Sequence, residues 1–185
     1  MKNTPVIETE RTFLVILTPE HAELMKQYYV DNTDFLSKWE PIRDEKFLTK
    51  SLWEKQLQEN LDLYNDEIGY RFSALNKNRT KVLGVCNFNN IVRGVFQACH
   101  LGYSIDSRYQ GKGYMFEILN AGIKYMFDEV NLHRIMANYM PCNKRSENIL
   151  YRLGFEKEGV AKSYLKIAGK WQDHILTSKI NSSFK

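Results

Sequence analysis

The residues with the plainest chemical use lie between His100 and Gly113. His100-Leu-Gly-Tyr-Ser-Ile-Asp106 reads as an apolar strand, Arg108-Tyr-Gln-Gly-Lys-Gly113 follows it, and a helical pattern begins at Tyr114. Strand, glycine loop and helix in that order bring backbone N–H groups and a helix N-terminus to one point, which is an anion site. The glycines let the chain turn tightly and let a phosphate approach without a Cβ in the way. No third glycine follows Tyr114-Met115, so the spacing is not the dinucleotide fingerprint, and no Lys-Ser or Lys-Thr pair closes a P-loop.

A second group of polar residues follows one strand later. Asn143-Lys-Arg-Ser146 starts a helix that runs to Leu150-Tyr-Arg-Leu-Gly-Phe155. Asn143 suits an N-cap and Gly154 a C′ position, so capping alone accounts for part of this pattern. Candidate proton acceptors are scattered. Glu40 sits beside Trp39 in a Trp-Glu-Pro segment, where it either holds a cationic group or lies as an exposed loop carboxylate. His100 has a suitable pKa, and Asp173 and His174 lie in the last strand. The three cysteines, Cys86, Cys99 and Cys142, have no metal-ligand spacing, so no metal is expected and reduced thiols are the simplest account.

The elements that must hold these residues follow from hydrophobic periodicity. Thr12–Leu17 reads as a strand, Thr18-Pro19 opens a helix to about Val30, and a second short helix covers Thr33–Trp39. Leu52, Trp53, Leu57, Leu61 and Tyr64 form a helical stripe over 48–64. Strands are expected over 70–75, 82–88, 96–106, 134–140, 155–163 and 171–180, with helices over 114–130 and 143–153. The fold class is therefore α/β (α+β), with helices flanking a central, largely antiparallel sheet.

The chain of 185 residues, 43% hydrophobic, suits one domain spanning 1–185. No window approaches 18 uninterrupted apolar residues, so no membrane partner is expected. The N-terminal stretch lacks an apolar h-region, which points to a cytoplasmic location. A net charge of +4 permits contact with RNA without requiring it.

Taken together, the glycine loop and the Asn143–Phe155 helix resemble the GCN5-related N-acetyltransferase superfamily. The resemblance runs from Glu10-Arg11 to about Thr177. Phe35–Asp44, Asn87–Gly94, Ala137–Pro141, Asn143–Ser146, Gly154–Gly159 and Trp171–His174 are similar to its RimJ/RimL type of ribosomal-protein-alanine N-acetyltransferases, and most to RimJ. That resemblance implies a splayed strand pair binding acetyl-CoA and direct acetyl transfer to the N-terminal alanine of a ribosomal protein. It also leaves open association with the ribosome or its precursors. Two other functions on the same fold are acetylation of a small amine, and a ribosome-assembly or RNA-binding role.

The same resemblance implies roles for particular residues. Backbone N–H groups from Gln110 through Gly111, Lys112, Gly113 and Tyr114 to Met115 take the pyrophosphate, helped by the Arg108 and Lys112 side chains. Edge groups of Tyr103, Ser104 and Ile105 pair with pantetheine like an added strand and offer an N–H to the thioester oxygen. Asn143 bonds a pantetheine amide. Many superfamily members carry a tyrosine acid seven residues after that Asn, where this chain has Leu150. Tyr151 is one residue late and so rotated by about 100° on the helix. Ser146 is then the substitute, as in the RimJ and RimL types. Glu40 is the candidate to hold the incoming ammonium and accept its proton. An α-amino group with a pKa near 8 leaves roughly a tenth neutral at pH 7, so it asks less of a base than a lysine does.

Overall fold

A computed structural model describes residues 3–184. Its strands are β1 (Val6–Glu8), β2 (Thr12–Val15), β3 (Tyr70–Asn76), β4 (Val82–Val92), β5 (Ala98–Ile105), β6 (Arg134–Tyr139), β7 (Glu156–Ile167) and β8 (Lys170–Ile180). They form one sheet in the order β1-β2-β3-β4-β5-β6-β8-β7. Among the described residues only β5 and β6 pair in parallel. The helices are α1 (Ala22–Leu36), α2 (Lys50–Asn65), α3 (Tyr114–Asp128) and α4 (Lys144–Arg152).

Alternation along the strands divides the interior into two cores. Phe72, Cys86, Phe88 and Leu101 face the side covered by α3, where Ile118, Leu119 and Met126 are fully buried. Each such side chain contributes about 1.5–3 kcal/mol on burial. Val85 and Leu75 turn the other way, against Met25 and Tyr28 of α1 and Trp53 and Leu57 of α2. Helices therefore sit on both faces of the sheet, and the long α3 comes directly out of the glycine loop.

The α+β expectation holds, and the largest differences lie at the N-terminal end. Thr18-Pro19 opens a short 3-10 turn at Pro19–His21, in which the Thr18 hydroxyl meets Glu20 and His21 side chains and caps no backbone N–H. The two helices expected between Thr18 and Trp39 are one continuous helix, α1, because the Asn32 side chain bonds the Tyr28 carbonyl at 2.8 Å and Thr33 that of Tyr29 at 2.7 Å without breaking the turn. Strand β1 was not expected; three residues are too few to show a period. The last two strands are longer than the pattern showed and meet in a tight turn at Ala168-Gly169.

Candidate active site

The parallel contact between β5 and β6 is short. Ala98, Cys99 and His100 align with Arg134, Ile135 and Met136, and beyond them the strands diverge, β6 continuing against β8 as far as Tyr139. The rest of β5 thus keeps one edge open. The Asp106 N–H donates to the Leu83 carbonyl of β4 at 2.8 Å. Antiparallel alternation then turns the N–H and C=O of Ser104 toward β4 and those of Tyr103 and Ile105 into the gap. Edge pairing with an extended ligand is therefore open to Tyr103 and Ile105. Ser104 offers no edge group; its hydroxyl meets the Tyr28 hydroxyl on α1 at 2.8 Å.

A cavity of about 450 Å³ lies along this open end of β5, lined also by the end of α1, the start of α3 and α4. Ten of the residues nominated from the sequence line it: Glu40, Tyr103, Ser104, Ile105, Gln110, Gly111, Gly113, Met115, Asn143 and Ser146. Arg108, Lys112 and Tyr114 do not.

The loop at its mouth is built as an anion cradle. Gly111 and Gly113 have φ of +69° and +81°, and Gly113 is the N-cap of α3. A side chain is strained in that left-handed region. The first amides of α3 have no intrahelical carbonyl to bond and point at the cradle. Arg108 is corrected by the structure. Its guanidinium lies 2.6 Å from both Asp106 and Asp31, so it ties α1 to the end of β5 and is spent there. Arg11 braces the loop from the other side. It donates to the Lys112 carbonyl at 2.8 Å, pairs with Glu117 at 2.6 Å and lies 4.1 Å over the Tyr114 ring. Two cations that sequence reasoning missed line the cavity where Arg108 does not. Arg145 bonds the Gln110 side chain and Arg152 stacks 3.8 Å over Phe116, all four lining the cavity. Arg145, Ile149 and Arg152 follow an i, i+4, i+7 spacing, and that was the available signal.

Helix α4 carries the polar groups of the cavity's centre. Asn143 Oδ1 accepts from the Ser146 N–H at 3.1 Å, which caps the helix and leaves the Asn143 amide N–H groups to donate. Tyr103 lines the same cavity, and its hydroxyl is buried with no hydrogen-bond partner among the described residues. Burial drives its phenol pKa up. Leu150 is buried and Tyr151 is 83% exposed, as their one-residue offset requires.

At the other end stand Phe35, Leu36, Trp39 and Glu40, at and just beyond the end of α1. The Glu40 side chain is only 19% exposed and lies 3.5 Å from Arg43. Burial raises its pKa, against the pull of Arg43. The Glu40 carbonyl accepts from Ala168 N–H at 2.9 Å, so the β7–β8 turn closes over this end. His100 and Asp173 are elsewhere. Burial lowers the pKa of the His100 ring, which lies outside the cavity lining, and Asp173 caps the Ser163 N–H at 2.8 Å within the hairpin. His174 is buried with Nδ1 3.0 Å from the Gln172 carbonyl.

An open β5 edge that ends at a glycine cradle, with a capped helix beside it, is the cofactor end of an acetyltransferase. The chain belongs to the acetyltransferase (GNAT) domain family, whose pattern matches residues 11–156. It is 46% identical over 178 residues to the Escherichia coli (strain K12) protein named [ribosomal protein uS5]-alanine N-acetyltransferase, covering 95% of this chain and 92% of that one. The crystal structure of ribosomal-protein-S5-alanine acetyltransferase from Vibrio fischeri is 42% identical, covers 98% of this chain and 99% of that chain, and superposes with a TM-score of 0.93. Mycobacterium smegmatis RimJ, solved in complex with CoA-disulfide, shares the fold at a TM-score of 0.87 and 23% identity, covering 98% and 87% of the two chains. The resemblance read from the sequence is thereby shown.

Proposed function

We propose that this chain, acting as one acetyltransferase domain, moves the acetyl group of acetyl-CoA to the N-terminal alanine of ribosomal protein uS5. The observation that carries the reading is the cavity along the open end of β5, lined both by the glycine loop and by Glu40 with the aromatic side chains Phe35 and Trp39. Acetyl-CoA supplies an activated thioester and a diphosphate. Amides at the start of α3, with Arg145 and Arg152, suit the diphosphate; the edges of Tyr103 and Ile105 and the Asn143 side chain suit the amides of pantetheine.

In this reading the N-terminal ammonium of the acceptor binds at Glu40 and gives up a proton to it. The neutral amine attacks the thioester carbonyl, a C–N bond forms, and an edge N–H of β5 stabilises the oxyanion. Collapse breaks the C–S bond, and the Ser146 hydroxyl meets the departing sulfur. A raised Glu40 pKa makes it a better proton acceptor than a fully exposed carboxylate. The net charge of +4 is compatible with meeting the acceptor on the ribosome or a precursor of it, in the cytoplasm.

The test is acetyl transfer from acetyl-CoA to synthetic peptides that copy the uS5 N-terminus, with free or blocked α-amines, and to spermidine. Mass spectrometry is expected to place one acetyl group on the free α-amine alone. Acetylation confined to lysine side chains or to spermidine would overturn the proposal.

A further inference from the structure

Among the described residues three glycines lie inside strands, and two have a structural reason to be there. A Cβ at Gly84 would sit 2.7 Å from the Ser104 carbonyl oxygen, and Gly159 marks a register shift between β7 and β8. Gly102, in the middle of β5, has neither: its φ is not in the left-handed region, its register is regular, and a Cβ there would meet nothing within 4 Å. A glycine weakens a strand, and one with no packing reason marks a place where a ligand or another chain comes close to the backbone. Alternation shows on which face this happens. Ser104, two residues on, meets the Tyr28 hydroxyl of α1 and lines the cavity with Glu40. Gly102 is on that same face, about 7 Å away along the strand. Asn87 of β4 is its register partner, so the Asn87 side chain shares the face. On β6, Ala137 and Tyr139 belong to the core under α3, and Asn138 between them therefore turns this way as well. Strands β5 and β6 part after the His100–Met136 pair, which leaves Gly102 and Asn138 on either side of the widening gap. The core under α1 and α2 takes no residue from β5 or β6, and here Gly102 is exposed and Asn87 and Asn138 half-buried. β7 walls the far side, where the Tyr164 hydroxyl lies 3.5 Å from the Asn138 amide.

We infer that Gly102 is a specificity-determining residue: its bare backbone is the floor on which the acceptor polypeptide lies extended beyond its first residue, with the Asn87 and Asn138 carboxamides serving its main-chain groups. This inference rests on the acetyltransferase reading above, in which the α-amine sits at Glu40. At about 3.3 Å per residue, the second and third residues of an extended acceptor span the distance from Ser104 to Gly102. A carboxamide both donates and accepts, so each Asn can meet an N–H or a C=O of a peptide unit. Recognition of this kind reads main chain and leaves the side chains past the first residue free to vary. The same floor is unsuited to a polyamine. Gly102, Asn87 and Asn138 carry no charge, and Arg71, the register partner of Asn87 on β3, brings a guanidinium to this face. It bonds Asn89 at 2.8 Å and Asn60 at 3.0 Å, and would repel a second ammonium.

The test is Gly102→Val, which puts a side chain on the floor where the backbone and the space above it accept one, so the variant is expected to melt with the wild type. The acceptors are the peptide that copies the uS5 N-terminus and alaninamide, which ends where the floor begins. The wild type is expected to favour the peptide in kcat/KM. Gly102→Val is expected to cut that preference about tenfold through the KM of the peptide, with the Kd for acetyl-CoA changed by less than about twofold. Gly102→Ala is expected to fall between the two. An unaltered preference in Gly102→Val, or an equal loss on both acceptors, would overturn the inference. A second readout needs no turnover: in CoA-saturated protein with ¹⁵N-labelled asparagine, the peptide is expected to move the side-chain amide resonances of Asn87 and Asn138. If they move while no peptide is acetylated, the substrate reading fails and the floor stands. If peptides are acetylated while neither the resonances nor the preference responds, the floor fails and the substrate reading stands.

Discussion

Replacing Gly111 by glutamate separates the two things the loop does, holding a strained turn and accepting an anion. Gly111 has φ of +69°, and a Cβ built there meets nothing within 4 Å. Alanine at this position therefore clashes with nothing and loses about 1–2 kcal/mol to backbone strain. For a chain of this size that is roughly 2–8 °C in Tm. Glutamate carries the same strain and adds a carboxylate beside the diphosphate. With charges roughly 5 Å apart at an effective dielectric near 20, each unit pair repels by about 3 kcal/mol. That corresponds to a loss of about 100-fold or more in CoA affinity. The series Gly111→Ala, Gly111→Gln and Gly111→Glu, followed by calorimetric titration with CoA and by thermal melts, resolves these contributions. All three variants are expected to melt within a few degrees of one another, and only the glutamate form is expected to lose affinity on that scale. Equal affinity in the glutamine and glutamate forms would refute the placement of the diphosphate.

Other expectations follow from the same geometry. Arg108→Ala is expected to leave the Kd for CoA within threefold, because its guanidinium is spent on Asp106 and Asp31, while lowering Tm by several degrees; a large loss of affinity in the titration would restore it to the cradle. Asp106 is 1% exposed, and although burial by itself would raise its pKa, hydrogen bonds from Arg108 and Lys81 hold it at about 2. Its contribution to stability is thus present above its unfolded value of about 3.9 and is lost as pH falls from there through about 2. Acid unfolding of Asp106→Asn, followed by circular dichroism, is expected to be shallower over that range than in the wild type. Glu40→Gln is expected to lower kcat at least about tenfold, and to remove an acid limb in the kcat profile that lies above the usual glutamate pKa of 4.5, since protonation silences the base as pH falls. Tyr151→Phe is expected to retain kcat in the peptide assay, its ring being 83% exposed.

The glycine loop between β5 and α3 was legible in the sequence. A strand, a two-glycine loop and a helix contiguous in the chain from His100 to Asp128 make a local structure, and the φ values of Gly111 and Gly113 are what such a loop needs. The Asn143 cap, and the one-residue offset that turns Leu150 and Tyr151 to different faces of the helix, were equally local, set by helix geometry alone. Arg108 was misread because its type and position suited a phosphate, while its partner Asp31 lies 77 residues away on a helix that only packing brings near. Arg145 reached Gln110 by the same kind of long-range approach. Which strand edge stays open, Tyr103 and Ile105 rather than Ser104, depends on how β5 pairs with β4 and where it parts from β6. Hydrogen-bond direction in a sheet is a property of the pair, and no single strand carries it. The placing of Glu40 in the cavity lining, and the burial of the unpartnered Tyr103 phenol, likewise belong to the tertiary structure, because burial and its electrostatic consequences exist only once distant segments have closed around a group.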